Sequence, residues 1–226
     1  MRWEVLSRFK LAIANEEINT SSCVIVGGTS QDPELQYLKS AFNAIDVSFL
    51  GIEDTKDNFY FLDLNETNKL PNSWNFVLCS QVLEHIWNHK NFFVNLREMT
   101  KTGGHLWLSV PMSNFVHGSP YYYSAGFAPE YLSRNLEEND FEIIYSDLIG
   151  SKRYYFATHL LSTWLTEKEH ANPLVNYVFQ PGTKLGVLRK FLIDWLRRAP
   201  LVFASRRITN DPRFATESFV LAKRIK

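Results

Sequence analysis

The stretch from Trp74 to Pro111, WNFVLCSQVLEHIWNHKNFFVNLREMTKTGGHLWLSVP, constrains the fold more than any other part of this chain. Phe76-Val77-Leu78-Cys79 is a short unbroken apolar run, the pattern of a strand covered on both faces. Phe92, Phe93, Leu96 and Met99 then recur at helical spacing. Gly103-Gly104 is expected to stop that helix, and Leu106-Trp107-Leu108-Ser109-Val110 is strand-like again. Strand, helix, strand in so short a span is a βαβ unit, and such units build parallel sheets.

The rest of the chain extends this pattern. Residues 1–20 read as a leading helix, and Ser22–Val26 as a first strand ending in Gly27-Gly28. Asp32-Pro33-Glu34-Leu35 looks like a helix start, with Pro in the first turn and acids at the positive end of the dipole. Val47–Ile52 reads as a second strand closing on Glu53-Asp54, and Phe59–Leu62 as a weaker third ending in Asp63. Tyr131–Asn139 reads as a helix, and Phe141–Tyr145 and Phe214–Arg224 as strands. Aromatic and basic residues with helical periodicity fill the interval 150–212. It reads as a helical cap or insertion before the last strand, since some 60 residues make a poor independent core. The expectation is one domain over 1–226: an α/β, doubly wound, mostly parallel seven-stranded sheet carrying that cap.

Composition then removes several functions. Lys plus Arg equals Asp plus Glu at 24 each, so no global field gathers nucleic acid. Cys23 and Cys79 both fall in expected central strands and read as buried thiols of a reducing compartment, not as a disulfide or metal set. No run of about 18 apolar residues exists, and MRWEVLSRFKLAIANEE is too broken by charge for a secretory signal. A cytoplasmic protein is expected.

In an open α/β sheet a nucleotide-like cofactor sits beyond the carboxyl ends of the strands, where strand order switches. There the sequence places Gly27, Gly28, Thr29 and Ser30 after strand one, Glu53 after strand two, Asp63 after strand three, and Ser80-Gln81 after strand four. Glycine lets backbone approach a ligand, and a carboxylate after strand two can accept both ribose hydroxyls.

Val82-Leu83-Glu84-His85-Ile86, Thr102-Gly103-Gly104 and Ser109-Val110-Pro111 resemble the fourth and fifth strands of class I S-adenosylmethionine (SAM) dependent methyltransferases. The resemblance covers roughly residues 22–146. It implies that SAM is the cofactor and S-adenosylhomocysteine the product. By the same resemblance Gly27, Gly28 and Thr29 flank the amino-acid part of SAM, Glu53 holds the ribose and Asp63 meets the adenine edge. Ser80, Gln81 and Glu84 would complete the cofactor-binding set, with no metal. Two positions depart from the family pattern: Ile25 stands where an acid is usual, and Thr29 where a third glycine is usual.

Methyl transfer needs positioning more than acid–base machinery. A base helps when the acceptor is a hydroxyl, and His85 and His117 are the candidate bases. His117 and Tyr121-Tyr122-Tyr123 lie beyond strand five, where an acceptor would enter, and Tyr122 completes the catalytic candidates. His85 could instead cap the following helix. The expected acceptor is a hydroxyl or amine of a small molecule or glycan precursor. From Lys184 to Arg207 seven basic residues face one acid, Asp194, with Leu185, Leu188, Leu192 and Trp195 on one helical face. That pattern suits a cap helix or a peripheral membrane contact through 184–207. The alternative to an enzyme is a methyltransferase-fold binding module that has lost catalysis. A nicotinamide enzyme is disfavoured because Gly27-Gly28-Thr29-Ser30-Gln31-Asp32 lacks the G-x-G-x-x-G spacing. A nucleic-acid methyltransferase is disfavoured by the neutral charge and by Ser80-Gln81-Val82-Leu83, which is no proline–aromatic tetrapeptide.

Overall fold

The computed structural model describes residues 3–14, 16–42, 46–52, 58–67, 70, 72–114, 120–150, 155 and 211–226. Seven strands occur among them: β1 (Ser22–Val26), β2 (Asp46–Gly51), β3 (Phe59–Phe61), β4 (Trp74–Ser80), β5 (Thr100–Pro111), β6 (Phe141–Gly150) and β7 (Ala215–Arg224). The α-helices among the described residues are α1 (Trp3–Ala14), α2 (Pro33–Phe42), α3 (His89–Met99) and α4 (Pro129–Glu137). The strands form one sheet in the order β3-β2-β1-β4-β5-β7-β6. β1 pairs in parallel with β2 and β4, β2 with β3, and β4 with β5, whereas β7 runs antiparallel to β5. The strand order therefore reverses between β1 and β4, which is where a ligand crevice opens in such sheets.

Side-chain alternation assigns the two faces. Val24, Val26, Val77, Cys79, Leu106 and Leu108 share one core with Phe92, Phe93 and Leu96 of α3 and Leu132 and Leu136 of α4. The other face carries an aromatic row. Tyr145 stacks on Phe219, Phe219 stacks on Trp107, and Phe9 of α1 meets both Trp107 and Phe76 edge-on. Phe9 also meets Tyr37 of α2, so α1 and α2 pack side by side on this face. β1 and β4 are buried on both sides, which explains their continuous apolar runs.

The end of α3 departs from the sequence expectation. Gly103-Gly104 does not stop the helix; it ends at Met99, and both glycines lie inside β5. Thr100 turns directly into extended backbone, and its hydroxyl donates to Leu96 O at 2.8 Å. Arg224 Nη1 donates to Arg97 O and Thr100 O at 2.7 and 2.6 Å, so a cation from β7 satisfies the helix's last carbonyls. With those carbonyls held, no left-handed residue is needed. The glycines instead occupy the irregularity where the register jumps between Trp74↔Thr100 and Phe76↔His105.

The chain divides into two compact units, Met1–Leu148 with Glu217–Lys226, and Ile149–Thr216. Within the second, Asp211 N–H donates to Gly150 O at 2.9 Å and Thr216 Oγ1 to Ile149 O at 3.4 Å. Tyr155 there meets Phe214 edge-on. Apart from such residues, the expected cap over 150–212 and the basic stretch 184–207 lie outside the described residues. Among the described residues no helix is long and apolar enough to cross a membrane. Cys23 and Cys79 are both free and buried, and they point to opposite faces of the sheet. Burial pushes the Cys23 thiol up to about 12, and it raises that of Cys79 as well.

Candidate functional site at the carboxyl edge of the sheet

The turn after β1 is built by its own residues. Gly27 has φ +65, and its N–H donates to Leu50 O at 2.7 Å, tying the turn to β2. A Cβ on Gly27 would stand 2.7 Å from Val82 Cγ2, and one on Gly28 only 2.3 Å from Asp32 Oδ2. Both glycines are thus demanded by close approach. Asp32, the residue before α2, accepts from Thr29 N–H at 2.9 Å and from Thr29 Oγ1 at 3.1 Å. Thr29 therefore spends its side chain on closing the loop.

Glu53 lies outside the described residues. Asp63 follows β3 as expected, and its Oδ1 accepts from Asn65 N–H at 2.9 Å and from Asn65 Nδ2 at 2.8 Å. Asn65 Oδ1 in turn accepts from the backbone N–H groups of Trp87 and Asn88 at 3.0 and 3.1 Å. Asp63 thus fixes the loop that braces the start of α3. Asn88 caps α3 by accepting from Asn91 N–H at 3.3 Å, so His85 does not cap it.

At the end of β4, Ser80 pairs with Ser109 of β5. Gln81 sits at φ +58; its N–H donates to Ser109 O at 2.8 Å and its Nε2 to Glu217 Oε2 at 3.0 Å. A non-glycine residue held there costs on the order of 1 kcal/mol, offset here by two hydrogen bonds. Leu83–His85 form one 3-10 turn. Glu84 is fully buried, and its carbonyl accepts from the N–H groups of Tyr123 and Ser124 at 2.9 and 3.3 Å. Its carboxylate stands 3.9 Å from His85 Nε2.

His85 Nδ1 lies 2.5 Å from Tyr121 O. A carbonyl only accepts, so Nδ1 carries the proton, and in neutral His85 the Nε2 lone pair is the basic position. The His85 ring meets Tyr122 edge-on at 6.2 Å, and Tyr122 Oη donates to Asn114 O at 3.0 Å. Burial raises the Tyr122 phenol above its ordinary value, and the Glu84 charge adds to this. Tyr121 and Tyr123 are exposed. The structure thus brings Glu84, His85 and Tyr122 together beyond β4, while His117 lies outside the described residues.

Three polar groups at this edge escape a reading of the sequence. Glu217 of β7 reaches Gln81 because β7 runs antiparallel and begins at the carboxyl edge. Ser109 is hidden inside an apolar strand. Glu34, in the first turn of α2, is fully buried, and its carboxylate has no hydrogen-bond partner among the described residues. Burial pushes its carboxyl up to about 7, partly opposed by the backbone N–H of Glu34 itself and reinforced by the charge of Asp32. A hydrophilic position beside Leu35 reads as a solvated helix start, so the sequence offers no signal for it. A polar cavity of about 250 Å³, lined by Ser22, Asp46, Ser48 and Trp74 among others, lies at the opposite edge, where the strands begin.

No protein-family model matches the chain, and no curated protein matches it by sequence. Solved structures do. A coclaurine N-methyltransferase bound to N-methylheliamine and S-adenosylhomocysteine superposes over 96% of this chain and 72% of its own, with TM-score 0.56 and 13% identity. The fold is that of class I methyltransferases. An O-methyltransferase from a Brevibacillus brevis trans-AT PKS multienzyme, in complex with S-adenosylhomocysteine, matches over 97% of this chain and 75% of its own, with TM-score 0.52 and 14% identity. The [4+2]-cyclase SpnF matches over 99% of this chain and 81% of its own, with TM-score 0.55 and 12% identity. One fold therefore carries methyl transfer and a cyclisation, and the chemistry has to be argued from the site.

Proposed function

We propose that this protein is a SAM-dependent methyltransferase acting on a hydroxyl or amine of a small molecule or glycan precursor. The observation that carries the reading is the Glu84–His85–Tyr122 group, held against the 121–124 loop at the carboxyl end of β4. The residues present fit the cofactor. The β1 turn is glycine where a Cβ would meet Val82, Asp32 or Ile25, so the chain turns tightly at the carboxyl end of β1, the edge at which such sheets take a nucleotide-like ligand. A buried carboxylate without a hydrogen-bond partner among the described residues, Glu34, stands in the helix that follows. Gly27, Gly28 and Thr29 would flank the amino-acid part, Glu53 the ribose, Asp63 the adenine, and Ser80, Gln81 and Glu84 the remaining edge.

When bound, SAM supplies an electrophilic methyl group on a sulfonium leaving group. His85 Nε2 takes the acceptor's proton, and the Tyr121 carbonyl keeps the proton of Nδ1 in place. Glu84, buried 3.9 Å from Nε2, stabilises the imidazolium that results. His117 is a second base candidate from the same loop, and Tyr122 shapes the acceptor wall. The protein would act in the cytoplasm, with no nucleic-acid partner, and the 184–207 stretch would serve as cap or membrane contact.

The test is calorimetric titration with SAM, followed by transfer of labelled methyl to an acceptor panel, glycans first. Micromolar binding and transfer support the reading. His85→Ala is expected to slow turnover about 10²–10⁴-fold with SAM affinity retained. A second reading, a non-catalytic module, is favoured by one observation: Thr29 is already engaged by Asp32, and Ile25 supplies no acid. Absence of SAM binding would decide for it.

A further inference from the structure

Several buried polar groups on one face of the sheet have no hydrogen-bond partner among the described residues; His105 Nδ1 and Trp107 Nε1 lie further back along β5, and three stand toward the carboxyl edge. The hydroxyls of Ser80 and Ser109 are buried and have no hydrogen-bond partner among the described residues, and the same holds for both oxygens of Glu34. Ser80 and Ser109 are register partners on β4 and β5. By alternation they lie on the face of Phe76 and Trp107, the face that α1 and α2 cover. Glu34, Leu35 and Leu38 are the buried side of α2, so the carboxylate turns toward that face from the first helical turn. That turn follows the β1 loop, and β1 is the neighbour of β4, with Val26 beside Cys79. Ser80 and Ser109 thus stand side by side toward the carboxyl ends of β4 and β5, and Glu34 lies in the helical turn that follows the carboxyl end of β1, the next strand of the sheet.

Buried polar groups are nearly always satisfied, and a carboxylate without a partner is among the costliest exceptions. One carboxylate and two hydroxyls offer acceptors on every member. A primary ammonium is the complement, because it carries three donors and a positive charge. We propose that Glu34, Ser80 and Ser109 form a receptor for the α-ammonium group of the cofactor's methionine moiety. The inference rests on the SAM reading above, and it assigns the cation-holding role to a helix residue, not to the strand position occupied by Ile25. The raised carboxyl of Glu34 agrees with a group kept neutral until a cation arrives. Glu34 is a specificity-determining residue in this scheme. It would separate ligands that carry the amino-acid portion from adenosine derivatives that lack it.

The experiment compares SAM, S-adenosylhomocysteine and 5′-methylthioadenosine, which has no amino-acid portion, by titration calorimetry on the full chain. In Glu34→Gln, affinity for the first two is expected to fall at least about tenfold, the scale of a lost charge-assisted bond, with 5′-methylthioadenosine unchanged. Ser109→Ala is expected to show the same selectivity with a smaller loss, and serves if Glu34→Gln does not fold. Equal losses for all three ligands, or no loss for SAM, overturn the assignment while leaving the cofactor reading intact. If the unaltered protein binds none of the three, the cofactor reading fails and the receptor with it.

Discussion

Replacing Glu34 with glutamine should make the protein more stable above neutral pH, and the gain should depend on pH in a way that only an ionising buried carboxyl produces. The carboxyl moves from an ordinary 4.5 to about 7 on folding, chiefly through burial. Between those values the folded chain holds a proton that the unfolded chain has released, so stability falls as pH rises through the window. Each pKa unit corresponds to about 1.36 kcal/mol, so the full loss is about 3 kcal/mol once pH exceeds 7. The glutamine amide would keep the shape and polarity of the protonated carboxyl without its ionisation. The stability difference between variant and parent should be under about 1 kcal/mol at pH 5 and about 3 kcal/mol at pH 8. For a chain of this size that is a rise in Tm of roughly 6–12 °C at the higher pH. Urea denaturation at a series of pH values, with far-UV circular dichroism as the probe, measures the difference directly. Parallel curves for the two proteins across pH 5–8 would refute the reasoning: Glu34 would then carry the same charge folded and unfolded.

Gly126→Ala should cost about 1–3 kcal/mol, read by the same denaturation, because its Cβ would stand 2.3 Å from the Met112 carbonyl carbon and oxygen. Asn65→Ala should destabilise by about 2–3 kcal/mol and raise hydrogen exchange at Trp87 and Asn88, whose N–H groups lose their acceptor. On the acid side, burial keeps His89 and His105 below the ordinary 6.5, and the Lys223 charge adds to this for His105. Their folded values are depressed, so stability present above 6.5 should be lost as pH falls below it, and His105→Gln should flatten that limb in a thermal-melt series.

Period and punctuation make the sheet legible in the sequence, because the same residues that form its core also form its pattern. Phe76–Cys79 and Leu106–Val110 are unbroken apolar runs since both faces of β4 and β5 are covered. Pro33 and Glu34 announce α2 through the ordinary chemistry of a helix start. The end of α3 is not legible, for a physical reason: what finishes it is Arg224, distant in sequence by more than a hundred residues, and a contact of that separation leaves no local mark. At the site, Gly27, Gly28, Ser80, Gln81 and Glu84 all fall at the edge that strand order selects. Ser109 stands out in the sequence only as part of the Ser109-Val110-Pro111 motif and Glu217 not at all, because their place at the site comes from which face a strand residue takes and from the antiparallel β7, not from spacing.

Glu34 links the stability of this fold to its ligand. A side chain optimised for folding alone would be apolar or small there, since Leu35 and Leu38 continue the same buried side of α2. A carboxylate at that place lowers stability at neutral pH, because its burial outweighs the favourable placement of an acid in the first turn of a helix. Residues that oppose stability in this way concentrate where a ligand supplies the missing interaction. A cationic ligand would convert the cost into binding energy, so the two measurements on Glu34→Gln should move in opposite directions: firmer folding and weaker SAM. If the variant gained stability at high pH and bound SAM as before, the buried carboxyl would be a burden on the fold with no return from the ligand, and the ammonium receptor would have to be sought elsewhere at the same edge.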